Sequence, residues 1–229
     1  IEDHVQCARM AQEAGYDGVE IIGLAGYLIS TFLVQKTNLR EDEWGGSYEN
    51  RMRFALEIVR RTRAAVGENF ILIFRIAAMD MLEDGMSLEE VLTLAKELEK
   101  AGVNIISTHF TWHESAVPTI ATMVPRAAFT SVTGRIRKEV NVPMITSNRI
   151  NTPAVAEEVL SRGDADLASM ARPMLADSAF MRKTVEGRED EINTCIACNQ
   201  ACLDHTFAGK LTSCLVNPRA CHETKLNYL

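Results

Sequence analysis

The strongest constraint on the fold is the regular alternation of helical segments with short, continuously apolar segments. The apolar segments lie at residues 18–22, 70–76, 104–108, 143–147 and 165–170. Segments with helical periodicity and helix-ending signals precede them, at 2–14, 47–66, 87–101, 128–139 and 152–162. Strands that are apolar throughout and separated by helices are typical of a parallel sheet covered on both faces. The chain therefore predicts an α/β fold.

Two parallel-sheet architectures fit this pattern, a doubly wound sheet and a (β/α)8 barrel. No glycine-rich phosphate turn directly follows a strand, and the long polar loops follow the carboxyl ends of the strands. These features favour the barrel, whose active sites are built on the loops at that face. A complete barrel has eight strands in about 250 residues. Five strands in 229 residues predict the C-terminal part of a TIM barrel, without its first three strands.

Composition argues against two classes of function. The net charge is −7 and no basic run is present, which argues against nucleic-acid binding. No apolar run is long enough to span a membrane and no signal peptide is evident, so a soluble, cytoplasmic protein is expected. The chain begins at Ile1, so we expect the natural N-terminus to lie upstream. Nothing in the sequence indicates the oligomeric state.

A cysteine-rich segment near the C-terminal end points to a metal centre. Its four thiols, separated by two, three and eleven residues, are Cys195, Cys198, Cys202 and Cys214. A close triplet with one distant thiolate favours a [4Fe–4S] cluster, whereas structural zinc usually takes two closely spaced pairs. Zinc and disulfides remain alternatives. Cys221 is interpreted as a spare thiol, and Cys7 as a small buried hydrophobe in the first helix.

Several motifs make a family resemblance recognisable from about residue 14 to residue 224. They are AGYDGVE, GYLI, TNLREDEWGGSYENRMRF, TWHESAVPTIAT, TSNRIN, SRGDADLASMARP, CIACNQACLD and LTSCLVNPRACHET. With these motifs the chain resembles the bacterial 2,4-dienoyl-CoA reductases, the iron–sulfur flavoproteins of the Old Yellow Enzyme superfamily. The cysteine pattern narrows the resemblance to the iron–sulfur branch, and TWHESAVPTIAT narrows it to the dienoyl-CoA reductases.

The resemblance implies a cofactor set and a domain organisation. It implies FMN and a [4Fe–4S] cluster in this chain, with FAD and NADPH bound by a further domain that is absent here. Residues 1–188 would form the C-terminal part of the FMN-binding barrel, and residues 189–229 the cluster-binding segment and the start of a linker. Alone, a chain of this length is expected to bind FMN weakly and to be inactive.

The resemblance also implies flavin-binding residues. Arg75, expected at the end of the second strand, would lie near flavin N1 and stabilise the reduced, anionic ring. The alternative for Arg75 is an ion pair with an acidic loop residue. The loops after the last two strands, where such barrels bind phosphate, contain four further candidates. These are Asn148, Arg149, Ala171 and Arg172, of which Arg149 would supply a cation and the last two backbone N–H groups. Arg172 could instead be a surface residue before Pro173.

Tyr27 and His113 are the proton-donating pair that the resemblance implies. Both follow strands and are expected at the barrel mouth, where the His would hydrogen-bond the Tyr and stabilise its phenolate. Without the resemblance, Tyr27 would be interpreted as packed under a loop. Glu114, Ser115, Ala116 and Val117 are candidates for substrate contact. His109 is expected to be a solvated or hydrogen-bonded loop residue.

These features predict one function and leave two alternatives. The predicted function is that of an NADPH-dependent 2,4-dienoyl-CoA reductase, which reduces the 4,5 double bond of its substrate during β-oxidation of unsaturated fatty acids. One alternative is another member of the iron–sulfur branch, an enoate reductase or an amine dehydrogenase. The other is a non-catalytic, truncated chain that binds zinc.

Overall fold

The computed structural model describes residues 1–226, which divide into two compact units. Unit 1 consists of Ile1–Val117, Phe129–Ser147 and Gly163–Leu167. Unit 2 consists of Pro118–Ala128, Asn148–Arg162 and the chain from Ala168 onward. Each unit is described by itself below.

A parallel sheet organises unit 1. Its strands are β1 (Gly18–Gly23), β2 (Ile71–Met79), β3 (Ile105–Phe110), β4 (Met144–Thr146) and β5 (Leu167–Ala168). They lie side by side in sequence order, and the three pairings from β1 to β4 are parallel. The α/β fold with a parallel sheet is therefore confirmed, as is the number of strands.

Helices connect the strands and cover one face of the sheet. Those of unit 1 are α1 (Glu2–Glu13), α2 (Leu28–Leu33), α3 (Tyr48–Val66), α4 (Leu88–Ala101) and α5 (Thr130–Arg137). Their apolar sides and one face of the sheet form a continuous cluster of buried side chains that includes Leu33, Ile58, Phe74, Leu94 and Ile106. This core is the main source of stability for unit 1, because burial of apolar surface dominates folding.

The other face of the sheet is polar at its centre and partly open. Side chains alternate between the two faces, and the strand register places Ile22, Arg75 and Ser107 in one row across β1, β2 and β3. Ile22 is 37% exposed and Ile71 is 39% exposed. Strands that are apolar throughout predict burial on both faces, so this face is less covered than the sequence alone suggests.

The ends of the longer helices follow the local chemistry of their sequences. Ser87 and Glu90 form the expected capping box at the start of α4, and Gly102 ends that helix in the left-handed region, with φ of 105°. Ser47 caps α3 by accepting a hydrogen bond from the backbone N–H of Asn50. None of the helices within residues 1–226 is long and apolar enough to cross a membrane.

Three expectations about unit 1 need correction. β2 continues to Met79, so Arg75 lies in the middle of the strand instead of at its end. β3 continues to Phe110, so His109 is a strand residue and not a loop residue. Cys7 is exposed, because the buried face of α1 is formed by Val5 and Ala8 and leaves Cys7 on the other side of the helix.

Unit 2 has little regular structure. It contains α6 (Pro153–Ser161), three helices of five or six residues, and one 3-10 turn. The short elements are α7 (Arg172–Ala176), α8 (Phe180–Val185), the turn at Glu189–Glu191 and α9 (Leu203–Phe207). Thr152 and Pro153 begin α6 as expected, with the Thr152 hydroxyl accepting from Val155 N–H. The predicted boundary at residues 188/189 stays a prediction.

Candidate functional site

Tyr27 and His113 form a hydrogen-bonded pair in unit 1. The Tyr27 hydroxyl lies 3.2 Å from Nε2 of His113, and the two rings meet edge to face with centroids 5.4 Å apart. Tyr27 is 54% exposed, so its hydroxyl is accessible to a ligand and is not packed under a loop. A phenol whose oxygen is within reach of an imidazole is suited to proton transfer, because the imidazole can stabilise the phenolate.

A tight turn after β1 fixes the position of Tyr27. The Ser30 hydroxyl lies 2.9 Å from the Leu24 carbonyl and 2.8 Å from the Tyr27 carbonyl, which share its single proton, and it accepts from Gly26 N–H at 3.0 Å. Gly26 has φ of 94°, and a Cβ there would come within 3.3 Å of both Glu114 and Trp112. The turn therefore requires glycine, both for its backbone conformation and for the close approach of the loop that contains His113.

The position of His113 is fixed by a buried contact of the preceding residue, Trp112. Trp112 is 4% exposed, and its indole N–H donates to Oδ1 of Asp80 at 2.7 Å. The second oxygen of Asp80 accepts from Met86 N–H at 2.7 Å. Burial, foremost, raises the pKa of this carboxyl above its ordinary value. Asp80 thus joins the loop after β2 to the loop after β3, an anchor that the sequence analysis did not identify.

Arg75 lies on the open face of the sheet with an acidic partner. Its Nε is 3.3 Å from Oε1 of Glu20, on β1, and 3.4 Å from the Ser107 hydroxyl, on β3. The expected alternative, an ion pair, is therefore present, although the acid comes from a strand and not from a loop. Both side chains of the pair are 30% exposed, so the guanidinium is still accessible to a ligand.

His109 is a site residue that sequence reasoning did not identify. It lies on the same face as Arg75 and Ser107, because β3 extends two residues further than its apolar pattern indicates. Burial, and to a smaller extent the neighbouring Arg75 and His113 side chains, lower the pKa of its imidazole to about 4. His109 is therefore neutral at physiological pH and can donate one hydrogen bond and accept another.

The four candidate substrate contacts follow His113 on the same loop. Glu114, Ala116 and Val117 are exposed, and Ser115 is half-buried. Ser115 makes two turn contacts: its N–H donates to the Trp112 carbonyl at 3.2 Å and its hydroxyl accepts from Val117 N–H at 3.2 Å. The loop is thus ordered by its own backbone and presents Glu114 next to the turn that positions Tyr27.

The candidate phosphate-binding residues lie in unit 2. Asn148 and Arg149 both adopt left-handed backbone conformations, with φ of 82° and 57°. Arg149 donates from Nε to the Val124 carbonyl at 3.0 Å. Burial, and then the charges of Arg172 and Arg126, lower the pKa of the Arg149 guanidinium. Within residues 1–226 neither Arg149 nor Arg172 has a carboxylate partner.

These groups fit a phosphorylated ligand. Clustered guanidinium groups without carboxylate partners repel one another, and an anion such as phosphate relieves that repulsion. The Asn148 side-chain oxygen is buried and has no hydrogen-bond partner among the described residues, so a hydroxyl of a bound ligand could donate to it. Ala171 is exposed just before α7, but the Arg172 side chain turns to other partners, described next.

The four predicted cysteine ligands border one cavity in unit 2. The cavity is small, about 20 Å³, and is lined by Cys195, Cys198, Cys202 and Cys214, with small and apolar residues between them. Arg172 also lines it, and donates to the Asn199 side-chain oxygen and to the Ile120 carbonyl. Cys221 is exposed and does not line the cavity.

The arrangement of the thiols is chemically suited to a cluster. Among residues 1–226, no three Cys, His, Asp or Glu side chains converge on a point where a single metal ion could bind. In a cubane each thiolate binds a different iron, so its four ligands surround the cluster. Four thiols around one cavity are compatible with that requirement.

Comparison with known proteins gives a family. Residues 1–191 match the model of the NADH:flavin oxidoreductase / NADH oxidase family. A metal reductase of Desulforamulus reducens is 43% identical over 99% of this chain, and an NADH oxidase of Thermoanaerobacter brockii is 39% identical over 97%. The chain covers 34% and 35% of these two proteins, so it spans about a third of their length.

Solved structures agree with the fold. A 2-naphthoyl-CoA reductase in complex with 2-naphthoyl-CoA superimposes on 98% of this chain with a TM-score of 0.95 and 37% identity, and the chain covers 34% of that protein. An old yellow enzyme homologue of Zymomonas mobilis superimposes on 81% of the chain with a TM-score of 0.65 and 26% identity, with 51% of its own length covered. Neighbours of this kind are TIM-barrel enzymes. The chain therefore belongs to the NADH:flavin oxidoreductase / NADH oxidase family.

Proposed function

We propose that this chain contributes the substrate site, part of the FMN site and the iron–sulfur centre of a reductase that acts on unsaturated acyl-CoA thioesters. 2,4-Dienoyl-CoA is the proposed substrate, and its 4,5 double bond the one reduced. The observation that carries the proposal is the Tyr27–His113 hydrogen bond, in a family of flavin oxidoreductases. The resemblance to a structure that binds 2-naphthoyl-CoA supports a CoA thioester as the substrate class.

When bound, the cofactors would supply the reducing equivalents: single-electron transfer at the cysteine cavity, and hydride for C5 of the substrate at the flavin site near Arg75. Tyr27 donates the proton that C4 requires, so that hydride and proton together saturate the double bond. His113 hydrogen-bonds the Tyr27 oxygen and stabilises the negative charge left on it. The proton of Tyr27 is then replaced from solvent, to which both side chains are exposed.

The other residues bind and orient. Arg75 would place positive charge near the flavin ring, and Arg149 with the backbone at Ala171 and Arg172 would bind its phosphate. Glu114–Val117 would border the acyl chain. The remaining barrel strands of a longer protein would cover the open face of the sheet, where Ile22 and Ile71 are now partly exposed.

The test uses the full-length gene product and stopped-flow traces that follow flavin and dienoyl-CoA separately. Tyr27→Phe should slow substrate reduction by about 10² to 10⁴-fold, the usual contribution of a positioned acid, and leave flavin reduction by NADPH unchanged. His113→Ala should have a smaller effect. The double variant should lose less than the product of the single losses, because the two residues act as one unit. An unchanged substrate-reduction rate in Tyr27→Phe would place the donor elsewhere.

An amine dehydrogenase is the second candidate, since a histamine dehydrogenase of Rhizobium superimposes with a TM-score of 0.85 and 29% identity. The carboxylates of Glu20 and Glu114 near the site are compatible with a cationic substrate. Assays with dienoyl-CoA and with histamine separate the two candidates.

The alternative that the cysteines bind zinc is tested by metal analysis after anaerobic purification. Iron together with acid-labile sulfide would contradict zinc binding.

A further inference from the structure

We infer that the Arg172 side chain sets the reduction potential of the iron–sulfur centre at Cys195, Cys198, Cys202 and Cys214, an inference that rests on the cluster proposed above. The sequence suggested that Arg172 contributes backbone N–H groups to a flavin phosphate or is a surface residue. Its side chain has a third role in this structure, because it forms part of the wall of the cysteine cavity.

Two hydrogen bonds hold the Arg172 guanidinium at the cavity. Nη1 donates to the carbonyl of Ile120 at 3.0 Å and to the side-chain oxygen of Asn199. Asn199 follows Cys198 in the chain and has a left-handed backbone, with φ of 64°. The cation is therefore attached to the short loop that connects two of the thiols, and its position relative to them is fixed by that loop.

Arg172 is the one charged side chain in the cavity wall, as far as the described residues show. The remainder of the wall consists of the cysteines, Asn199 and the apolar side chains Leu175, Ile196, Ala197, Ala201, Leu215 and Val216. Apolar surroundings screen charge weakly, so a single cation has a larger effect here than it would in water. Acidic side chains that would cancel its effect are absent from this part of the wall.

The sign of the effect follows from the charge of the cluster. An iron–sulfide core with four thiolates is negatively charged, and it becomes more negative when it accepts an electron. Net charge and hydrogen bonding around the cluster are among the factors that set its potential. A nearby guanidinium stabilises the reduced form more than the oxidised form, so it raises the potential. Arg149 adds to this field more weakly, because it interacts electrostatically with Cys195 but does not line the cavity.

The experiment uses the full-length gene product, purified anaerobically, in a redox titration in which electron paramagnetic resonance follows the cluster separately from the flavins. At a fixed potential, Arg172→Gln should lower the ratio of reduced to oxidised cluster by about tenfold, which is about 59 mV for a one-electron couple. Arg172→Lys, which keeps the charge, should shift the ratio by less than about threefold. Arg182→Gln is the matched control, since it removes an exposed cation of unit 2 that does not line the cavity, and it should leave the ratio unchanged.

Other results would overturn either the inference about Arg172 or the proposed function. Equal potentials for the wild type and Arg172→Gln overturn the inference, as does a shift in Arg172→Lys as large as that in Arg172→Gln. If Arg172→Gln assembles no cluster, the variant Arg172→His tests the inference instead. The reduction potential of its cluster should rise when the pH is lowered from about 8 to about 5.5, because the imidazole becomes charged in this range. The inference is overturned if the cluster potential of Arg172→His does not change with pH, or if no variant at Arg172 assembles a cluster. Arg172 would then contribute to folding alone. Absence of a cluster in the wild type contradicts the proposed function instead.

Discussion

Units 1 and 2 are stabilised in different ways. Among the described residues, both hydrophobic clusters of buried side chains belong to unit 1, where helices of up to 19 residues accompany the strands. Unit 2 has few buried apolar side chains, with Phe180, Ile150 and Ile192 the largest of them. Buried side-chain atoms without hydrogen-bond partners occur in both units, at His4, Arg51 and Thr62 in unit 1 and at Thr119, Asn148 and Asn151 in unit 2, as far as residues 1–226 show.

The difference indicates which unit depends on bound groups. A continuous apolar core supplies the free energy that orders unit 1 without a ligand. In unit 2, as in unit 1, left-handed non-glycine residues and buried polar atoms without partners cost free energy, but unit 2 has fewer buried apolar side chains to offset that cost. We expect metal and flavin phosphate to offset these costs, because a ligand that binds only the folded state stabilises it.

The largest expected effect is on unit 2 and follows loss of one of the proposed cluster ligands. Replacement of Cys195, Cys198, Cys202 or Cys214 by Ser should abolish the cluster absorption and the hydrogen-exchange protection of unit 2, while the strands of unit 1 keep theirs. Cys221→Ser is the matched control and should retain the cluster. If Cys221→Ser removes the cluster and Cys214→Ser does not, the ligand assignment is wrong.

The next effect tests whether the core of unit 1 is self-sufficient. Phe74 is fully buried at the centre of β2, so Phe74→Ala should lower the free energy of unfolding of unit 1 by about 3 to 5 kcal/mol. Hydrogen exchange of the β2 amides measures this loss. Phe207→Ala, at a residue 80% exposed, is the control and should have little effect. A loss in Phe74→Ala that depends on whether iron is bound would break the comparison between the units.

A smaller effect concerns His109 and acid. Its pKa is lowered to about 4 in the folded chain, whereas the unfolded residue titrates at an ordinary value near 6.5. Between these two values the unfolded state binds more protons, so stability falls as the pH decreases through this range. In the wild type, His109 should lower the free energy of unfolding in urea by about 2 to 3 kcal/mol as the pH falls from about 7 to about 4.5. The variant His109→Gln should not show this decrease. Identical pH dependence in the wild type and the variant would contradict the burial of His109.

The smallest effect distinguishes the open face of the sheet from the core. Glu20→Gln removes the partner of Arg75 from an ion pair that is 30% exposed on both sides, so unit 1 should lose less than about 1 kcal/mol in urea unfolding. Glu2→Gln, in the more exposed pair with Arg61, is the control. A loss above about 2 kcal/mol would mean that this face contributes to the stability of unit 1 as the core does.

The sequence predicts the elements of unit 1 better than their ends. Apolar periodicity locates all five strands, but pairing with neighbouring strands extends β2 past Arg75 and β3 past His109. The amphipathic pattern of α1 leaves the orientation of Cys7 ambiguous, and Val5 and Ala8 decide it. The family motifs predicted that Tyr27 and His113 lie close together. The Asp80–Trp112 contact that holds their loop joins residues 32 positions apart, so no local sequence pattern predicts it.

Prediction was poorest in unit 2, for a physical reason. Its backbone takes left-handed conformations at Ala127, Arg149 and Ala197, residue types that carry no turn signal. The cysteine spacing indicates a metal centre, but the side chain of Arg172 reaches the cysteine cavity through contacts with Ile120 and Asn199, which are distant in the chain. Such contacts depend on the three-dimensional arrangement and not on local pattern.

The hydrogen bond from Trp112 to Asp80 also gives this protein an internal spectroscopic probe. Trp112 is one of two tryptophans and is adjacent to His113, while Trp44 lies in the segment before α3. An indole that is buried and hydrogen-bonded to a carboxyl group should fluoresce at shorter wavelength than one in contact with water. With Trp44→Phe the emission comes from Trp112 alone, so movement of the loop that contains His113 can be followed in real time without an added label.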